Sequence, residues 1–412
     1  MKTILSMKTL LSMKKRLTMN CHYLKINTAL KAVAIMVAGL SFSPSVMADA
    51  DIDPPLAALG PVPIPPDNEM TPEKIELGKL LYWDGRLGGD GSMPCAACHA
   101  PELGWGYPSS ISRGYPGTVH WRNSQTLINS AYYGKLFWAG GSNSLEHQAR
   151  GAAKGGVAGN GESNVMEAQL GLVPEYRERF EEVFGSGLPK VENAWEAIAA
   201  FERTLVQRDT PFDLAQTDAS KSLTAEQQRG QVLFEGKANC LECHNGALVS
   251  DEQYYNLGVP SNKQWETSGL AQITFRFELY AKGVTEALYR ETKRDLGFYF
   301  RTKQKRDKGK FRTPSLRYVK YTAPYMHNGT LATLDDVIEF YNQGGGEDAF
   351  DTKTSILKPL NLTESEKRDL KAFVLSFSGD EILMQKPELP PSRALNYFEV
   401  ANSHIDKKSN KN

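Results

Sequence analysis

Charge of one sign is the first thing missing. Lys and Arg number 48, Asp and Glu also 48, so the 412 residues carry no formal net charge. Binders of nucleic acid or of anionic membranes show a basic excess, and neither partner is expected. Long apolar runs are missing as well. The uncharged stretch Ala32 to Phe42 follows Lys25 and Lys31 and falls short of the ~20 residues that cross a bilayer. Val46-Met47-Ala48 behind it is a small-x-small cleavage pattern, so residues 1–48 read as a signal peptide cut near Ala48. The hexapeptides MKTILS, MKTLLS and MKKRLT repeat ahead of it, and Met13 or Met19 serves equally well as the start. No membrane span is expected after processing. Strand-type alternation is scarce, which points to an all-α fold. One local excess, seven Lys and Arg from Arg301 to Arg312, reads as a solvated loop first and a docking patch second.

Cysteine is scarce too, and its placement is informative. Of five, Cys21 leaves with the leader. The other four stand in Cys95-Ala96-Ala97-Cys98-His99 and Cys240-Leu241-Glu242-Cys243-His244. C-x-x-C-H is the attachment signal of haem c: each cysteine forms a thioether with a vinyl group, and the histidine ligates the iron. A four-thiolate zinc site needs two C-x-x-C pairs but no histidine after each. A thioredoxin-like dithiol would not occur twice. Disulfides closing such short loops are poor staples. Two haem c groups, one in each half, are the expectation.

The flanks of the motifs suggest a duplication. Thr71 and Thr224 each cap a helix with acidic residues in its first turn, and Gly78 and Gly230 lie seven and six positions on, where another helix can approach closely. Each half also closes with an amphipathic helix, Trp195 to Arg208 in one and Glu364 to Phe377, capped by Thr363, in the other. A helix before the haem crossing a helix at the domain's end is a cytochrome c pattern. The expected plan is two cytochrome c-like domains in tandem with long connecting loops, 49–217 and 218–385. The polar stretch Thr210 to Leu223 serves as linker and 386–412 as a polar tail.

Two haems serve either an electron carrier or an enzyme, and the sixth ligands decide. A carrier saturates both irons, whereas peroxide chemistry needs an open position. The first half offers few ligands: Met93, His120, His147 and Met166. An open first haem is favoured.

The residues resemble a family at this point, the bacterial di-haem cytochrome c peroxidases and their MauG relatives, over about residues 65 to 380. The similarity is carried by Arg122-Asn123-Ser124-Gln125-Thr126-Leu127-Ile128-Asn129, Leu136-Phe137-Trp138-Ala139-Gly140 and Ser144-Leu145-Glu146-His147-Gln148. The second half adds Phe311-Arg312-Thr313-Pro314-Ser315-Leu316-Arg317 and Thr322-Ala323-Pro324-Tyr325-Met326-His327-Asn328-Gly329. The resemblance implies two haems with a calcium ion between them, one reacting with hydrogen peroxide and the other passing electrons. It implies Trp138 as the tryptophan between the haems, Gln148 as a distal glutamine of the first, and Asn123 with the carbonyls of Thr322 and Pro324 as calcium ligands. Tyr341, twelve residues after Gly329, matches the far ligand of the second haem, a position that is Met in ordinary peroxidases of the family and Tyr in MauG; Met326 is the alternative ligand. His327 matches a structural histidine.

Two departures matter. The acid/base glutamate that the resemblance implies ten residues after Gln148 is Ala158; Glu162, if the loop carries an insertion, is the preferred replacement, with His147 or a water held by Gln148 as alternatives. Arg113 falls near the place of the histidine that blocks the first haem in ordinary peroxidases, which leans toward MauG. The expectation is a periplasmic di-haem peroxidase. Its reductant is a small redox protein, cytochrome c or cupredoxin, or else the side chains of an oxidised partner protein. The alternative is a non-enzymatic di-haem electron-transfer cytochrome.

Overall fold

The computed structural model describes residues 56–107 and 109–391, which belong to one compact unit. The expected signal peptide and the tail beyond Pro391 lie outside them. Helices dominate. The first half holds α1 Pro72–Trp83, α2 Leu145–Lys154, α3 Ser163–Gly171, α4 Pro174–Phe184 and α5 Val191–Glu202, and α6 Pro211–Thr217 leads into the second. There follow α7 Ala225–Glu235, α8 Lys263–Thr267, α9 Gly269–Ala281, α10 Glu286–Glu291, α11 Tyr299–Thr302, α12 Leu334–Asn342 and α13 Glu364–Leu375. Two short antiparallel ribbons complete the set, β1 Arg113–Gly114 with β2 Thr118–Val119, and β3 Tyr254–Tyr255 with β4 Phe311–Arg312.

The same local rules build both halves. The Thr71 hydroxyl accepts from Lys74 N–H at 3.2 Å, while Thr224 with Gln227 and Thr363 with Glu366 form reciprocal capping boxes. In the first half α1 crosses α5, and in the second α7 crosses α13. Glycine sets both crossings: a Cβ on Gly78 would fall 1.8 Å from Ala197 O, and one on Gly230 would fall 2.0 Å from Asp369 O. Leu77, Leu81, Trp195 and Ile198 pack about the first crossing; Phe234, Phe373 and Phe377 pack about the second.

Three expectations are corrected. The closing helix of the first half runs Val191–Glu202 rather than Trp195 to Arg208; beyond it the chain pairs with another segment, Gln207 N–H donating to Asn129 Oδ1 at 2.8 Å. The supposed linker from Thr210 contains α6. Thr210 and Asp213 form its capping box, Pro211 opens it, and Phe212 is fully buried against Phe377. Asp213 also pairs with Arg317 through two bonds of 2.8 and 2.9 Å, both side chains buried, so α6 is tied to the second half rather than hanging between halves. In the basic run, Arg312 is buried with its guanidinium 4.0 Å from the Tyr133 ring centre, so that residue belongs to the packing and not to a solvated loop.

Candidate active site

Each C-x-x-C-H motif starts in a single tight turn, Cys95–Ala97 and Cys240–Glu242, with the histidine N–H closing on the first cysteine's carbonyl at 3.1 and 2.9 Å. Both motifs line one cavity of about 1300 Å³. That exceeds the ~300–1,000 Å³ of an ordinary ligand site and suits more than one large guest. The four cysteines are unbridged, and burial pushes the thiols of Cys95 and Cys240 up to about 12 and those of Cys98 and Cys243 to about 11. Among the described residues no cluster of His, Cys, Asp or Glu could hold a free metal ion, which leaves the zinc reading without a site.

The ring nitrogens show what the cavity is made for. His99 Nδ1 donates to Trp105 O at 3.2 Å and His244 Nδ1 donates to Val249 O at 3.1 Å. A carbonyl can only accept, so in both rings the Nε2 lone pair is left for a metal. Burial holds both imidazoles below their usual range, which keeps them neutral. His120 is arranged the opposite way. Its Nδ1 accepts from the Arg122 N–H at 2.9 Å, so Nε2 carries the proton, and burial presses the ring's pKa down to about 3. His120 lines the cavity but has no lone pair to give an iron. His147 is exposed and Met166 is fully buried in the first core, so neither reaches the cavity wall; Met93 does line it.

The other candidates fall as follows. Gln148 on α2 lines the cavity, as do Ala158, Arg113 and Trp138. Ala158 follows the turn after α2, and its carbonyl accepts from Tyr115 N–H at 2.7 Å. Glu162 is not brought to the cavity: it is exposed, and its carboxylate caps α3 by accepting from Val165 N–H at 3.1 Å. The loop after Gly159 instead turns outward to start α3. Trp138 donates its indole N–H to Asn123 O at 2.9 Å. Asn123, Thr322 and Pro324 all line the cavity, and the Asn123 amide donates to Ser109 O, which leaves its Oδ1 as an oxygen donor. Tyr341 on α12 and Met326 both line the second-half wall; burial raises the Tyr341 phenol first, and the neighbouring Cys240 and Cys243 raise it further.

Three features escaped the sequence. Arg122 forms a buried pair with Asp295 through bonds of 2.5 and 2.9 Å. Glu202 is buried on the cavity wall with Oε2 unpartnered, as is the Ser130 hydroxyl. Helix α9 brings Phe277 and Glu278 to the wall from far along the chain. Two free Nε2 lone pairs, paired cysteines beside each, and orphaned buried polar atoms on a mostly apolar wall fit two haem c groups with polar edges. His99 and His244 would hold the irons, and Cys95, Cys98, Cys240 and Cys243 the vinyl carbons.

Comparison with known proteins agrees. The family profile described as di-haem cytochrome c peroxidase matches residues 72–221. The cytochrome-c peroxidase IdrP1 of Denitromonas iodatirespirans is 55% identical over 361 residues, 87% of this chain and 96% of that one. The methylamine utilization protein MauG of Methylorubrum extorquens is 31% identical over 333 residues, 80% of this chain and 85% of its own. Among solved structures, a MauG-like protein associated with microbial copper homeostasis superposes with a TM-score of 0.66 at 28% identity, covering 78% and 93% of the two chains. The choice between carrier and enzyme thus falls to the enzyme, with two haems c as the family's cofactors. The chain belongs to the di-haem cytochrome c peroxidase and MauG family of oxidoreductases.

Proposed function

We propose that this chain is an exported, periplasmic peroxidase that reduces hydrogen peroxide in the first-half pocket, over His99, with electrons from a small cytochrome c or cupredoxin. The observation that carries the reading is the opposed arrangement of imidazoles about one cavity: His99 and His244 offer Nε2, and His120 withholds it. That supports an open distal side in the first half. Haem c, when bound, supplies an iron that binds peroxide and a second centre that shares the oxidising equivalents. The protein does the rest. Gln148 presents an amide that orients peroxide by hydrogen bonds. Trp138, pinned by its N–H, bridges the two motifs as a relay. Asn123 Oδ1 and the Thr322 and Pro324 carbonyls, with waters, form a neutral oxygen set suited to calcium. Tyr341, which lines the same cavity as Cys240, Cys243 and His244, would join His244 in holding the second haem.

The test is spectroscopic. A haemochrome assay should return two haems per chain, and the ferric protein should show a high-spin component that shifts with peroxide. Two purely low-spin haems with no response would refute the reading. A second reading, oxidation of side chains on a partner protein, which the resemblance to MauG implies, is favoured by Tyr341. Steady-state peroxide consumption with a reduced cytochrome or cupredoxin supports the first; mass gain on a co-incubated partner protein supports the second.

A further inference from the structure

Reducing hydrogen peroxide to water requires a proton to move from one peroxide oxygen to the other, and a positioned side chain or a single bridging water carries it. Few groups on the first-half wall can take that proton. Gln148 is an amide and Ala158 is apolar. His120 already accepts at Nδ1 and carries a proton at Nε2. Both Asp295 oxygens are engaged by the Arg122 guanidinium, and Oδ1 also accepts from Gly297 N–H. Burial holds the Glu202 carboxyl up at about 8, so near neutrality it is an acid and not a base.

Glu278 remains. Helix α9 has two faces. Ala271, Phe275 and Leu279 point into a core with Trp121 and Trp265, while Phe277, Glu278, Ala281 and Lys282 line the cavity. At 100° per residue Glu278 sits at the seam between the faces, half-sheltered at 19% side-chain exposure. The helix lies directly on the turn that follows α2: a Cβ on Gly156 would fall 3.3 Å from the Phe277 ring. It also packs on β2, the strand leading into His120, and the Glu278 charge is felt by Arg122. Its ion pair, with Lys282 one turn on, is long at 3.5 Å and 46% exposed on the lysine side, so the carboxylate stays able to accept.

We propose that Glu278, delivered by the second half of the chain, is the group that moves the peroxide proton in the first-half pocket. The inference rests on the function proposed above. The carboxylate takes the proton of one peroxide oxygen and returns it to the other. The O–O bond breaks and that second oxygen leaves as water. The first oxygen leaves as a second water after two electrons from the protein donor and two protons from solvent.

The experiment uses the holoprotein and its Glu278→Gln, Glu278→Asp and Ala158→Glu/Glu278→Gln variants. Two rates are measured on the ferric state: the spectral change with peroxide, and the association of cyanide, which enters as HCN and must also give up a proton. Glu278→Gln should slow both by about a hundredfold, the lower end of the usual general acid–base contribution, with haem content and denaturant midpoint unchanged. Glu278→Asp should recover most of the rate, and a carboxylate returned at position 158 should recover part. A Glu278→Gln protein that meets cyanide and peroxide at the wild-type rates overturns the assignment and leaves the function standing. Wild-type protein indifferent to both ligands overturns the function, and this residue with it.

Discussion

The indole N–H of Trp138 donates to the Asn123 carbonyl at 2.9 Å, and the Asn123 N–H donates in turn to the His327 carbonyl at 2.8 Å. One side chain between the two motifs is thereby fixed to both halves of the chain. The His327 ring stacks on Phe311 at 3.6 Å and meets Trp138 edge-on at 6.5 Å, so the link is also packed.

Trp138→Phe keeps an aromatic ring and removes the N–H bond, which should cost about 1 kcal/mol of stability. Loss of the relay should also slow turnover. Peroxide turnover should drop at least about tenfold, or ~1.4 kcal/mol of barrier, while haem content is retained. Stopped-flow absorbance with peroxide and a reduced donor checks both halves of the statement.

Tyr341 and Met326 make opposite predictions for the second haem. Tyr341→Phe should convert that haem's low-spin ferric signal to high spin and raise its midpoint potential, because an anionic oxygen donor is lost. Met326→Leu should leave the signal unchanged. Electron paramagnetic resonance of the two variants decides, and a spectrum altered only by Met326→Leu would reverse the assignment.

The helix crossings have no room for a methyl group. Gly78→Ala and Gly230→Ala each force a Cβ onto a backbone carbonyl at 1.8 and 2.0 Å. Backbone cannot rotate away, so each should cost ~3 kcal/mol, the upper part of the range for overpacking. Denaturant midpoints of the holoprotein should fall alike for both, since the two crossings are equivalent. A neutral substitution at either would contradict the contact.

Glu202 should leave a mark on the pH dependence of stability. Its ordinary value of 4.5 rises to about 8 on folding, mainly through burial, partly offset by Arg203 and reinforced by Glu146. Between those values the unfolded chain has given up a proton that the folded chain keeps. Stability should therefore fall as pH rises from about 4.5, and level off above about 8, by a few kcal/mol at ~1.4 kcal/mol per unit. Glu202→Gln should flatten this slope. Unfolding curves of both proteins between pH 5 and 9 make the comparison.

What could be read in the sequence was local. Cys95 to His99 and Cys240 to His244 name their own chemistry, the threonine caps declare helix starts, and Gly78 and Gly230 mark crossings because nothing else fits there. Thr210-Pro211 was as good a helix start as Thr71-Pro72, yet polar neighbours hid it; the buried Asp213–Arg317 pair that stabilises it joins residues about a hundred positions apart. Glu162 was placed by counting along a loop whose direction only the fold determines. Glu278 had no sequence signal at all. Its neighbours Arg122 and Gly156 lie more than a hundred residues upstream, and only packing of α9 brings them together.

The common cavity has a consequence for how this polypeptide comes into being. A cavity of about 1300 Å³ with a mostly apolar wall denies the apoprotein the ~25 cal/mol that covering each Å² of such surface contributes, against a net stability of only ~5–15 kcal/mol for a folded domain. Empty, it leaves water against partly exposed apolar side chains such as Phe137, Leu316 and Val337. Pigment is thus masonry as well as reagent. A chain that misses either attachment should be born soft, and be cleared by proteases before it ever meets an oxidant.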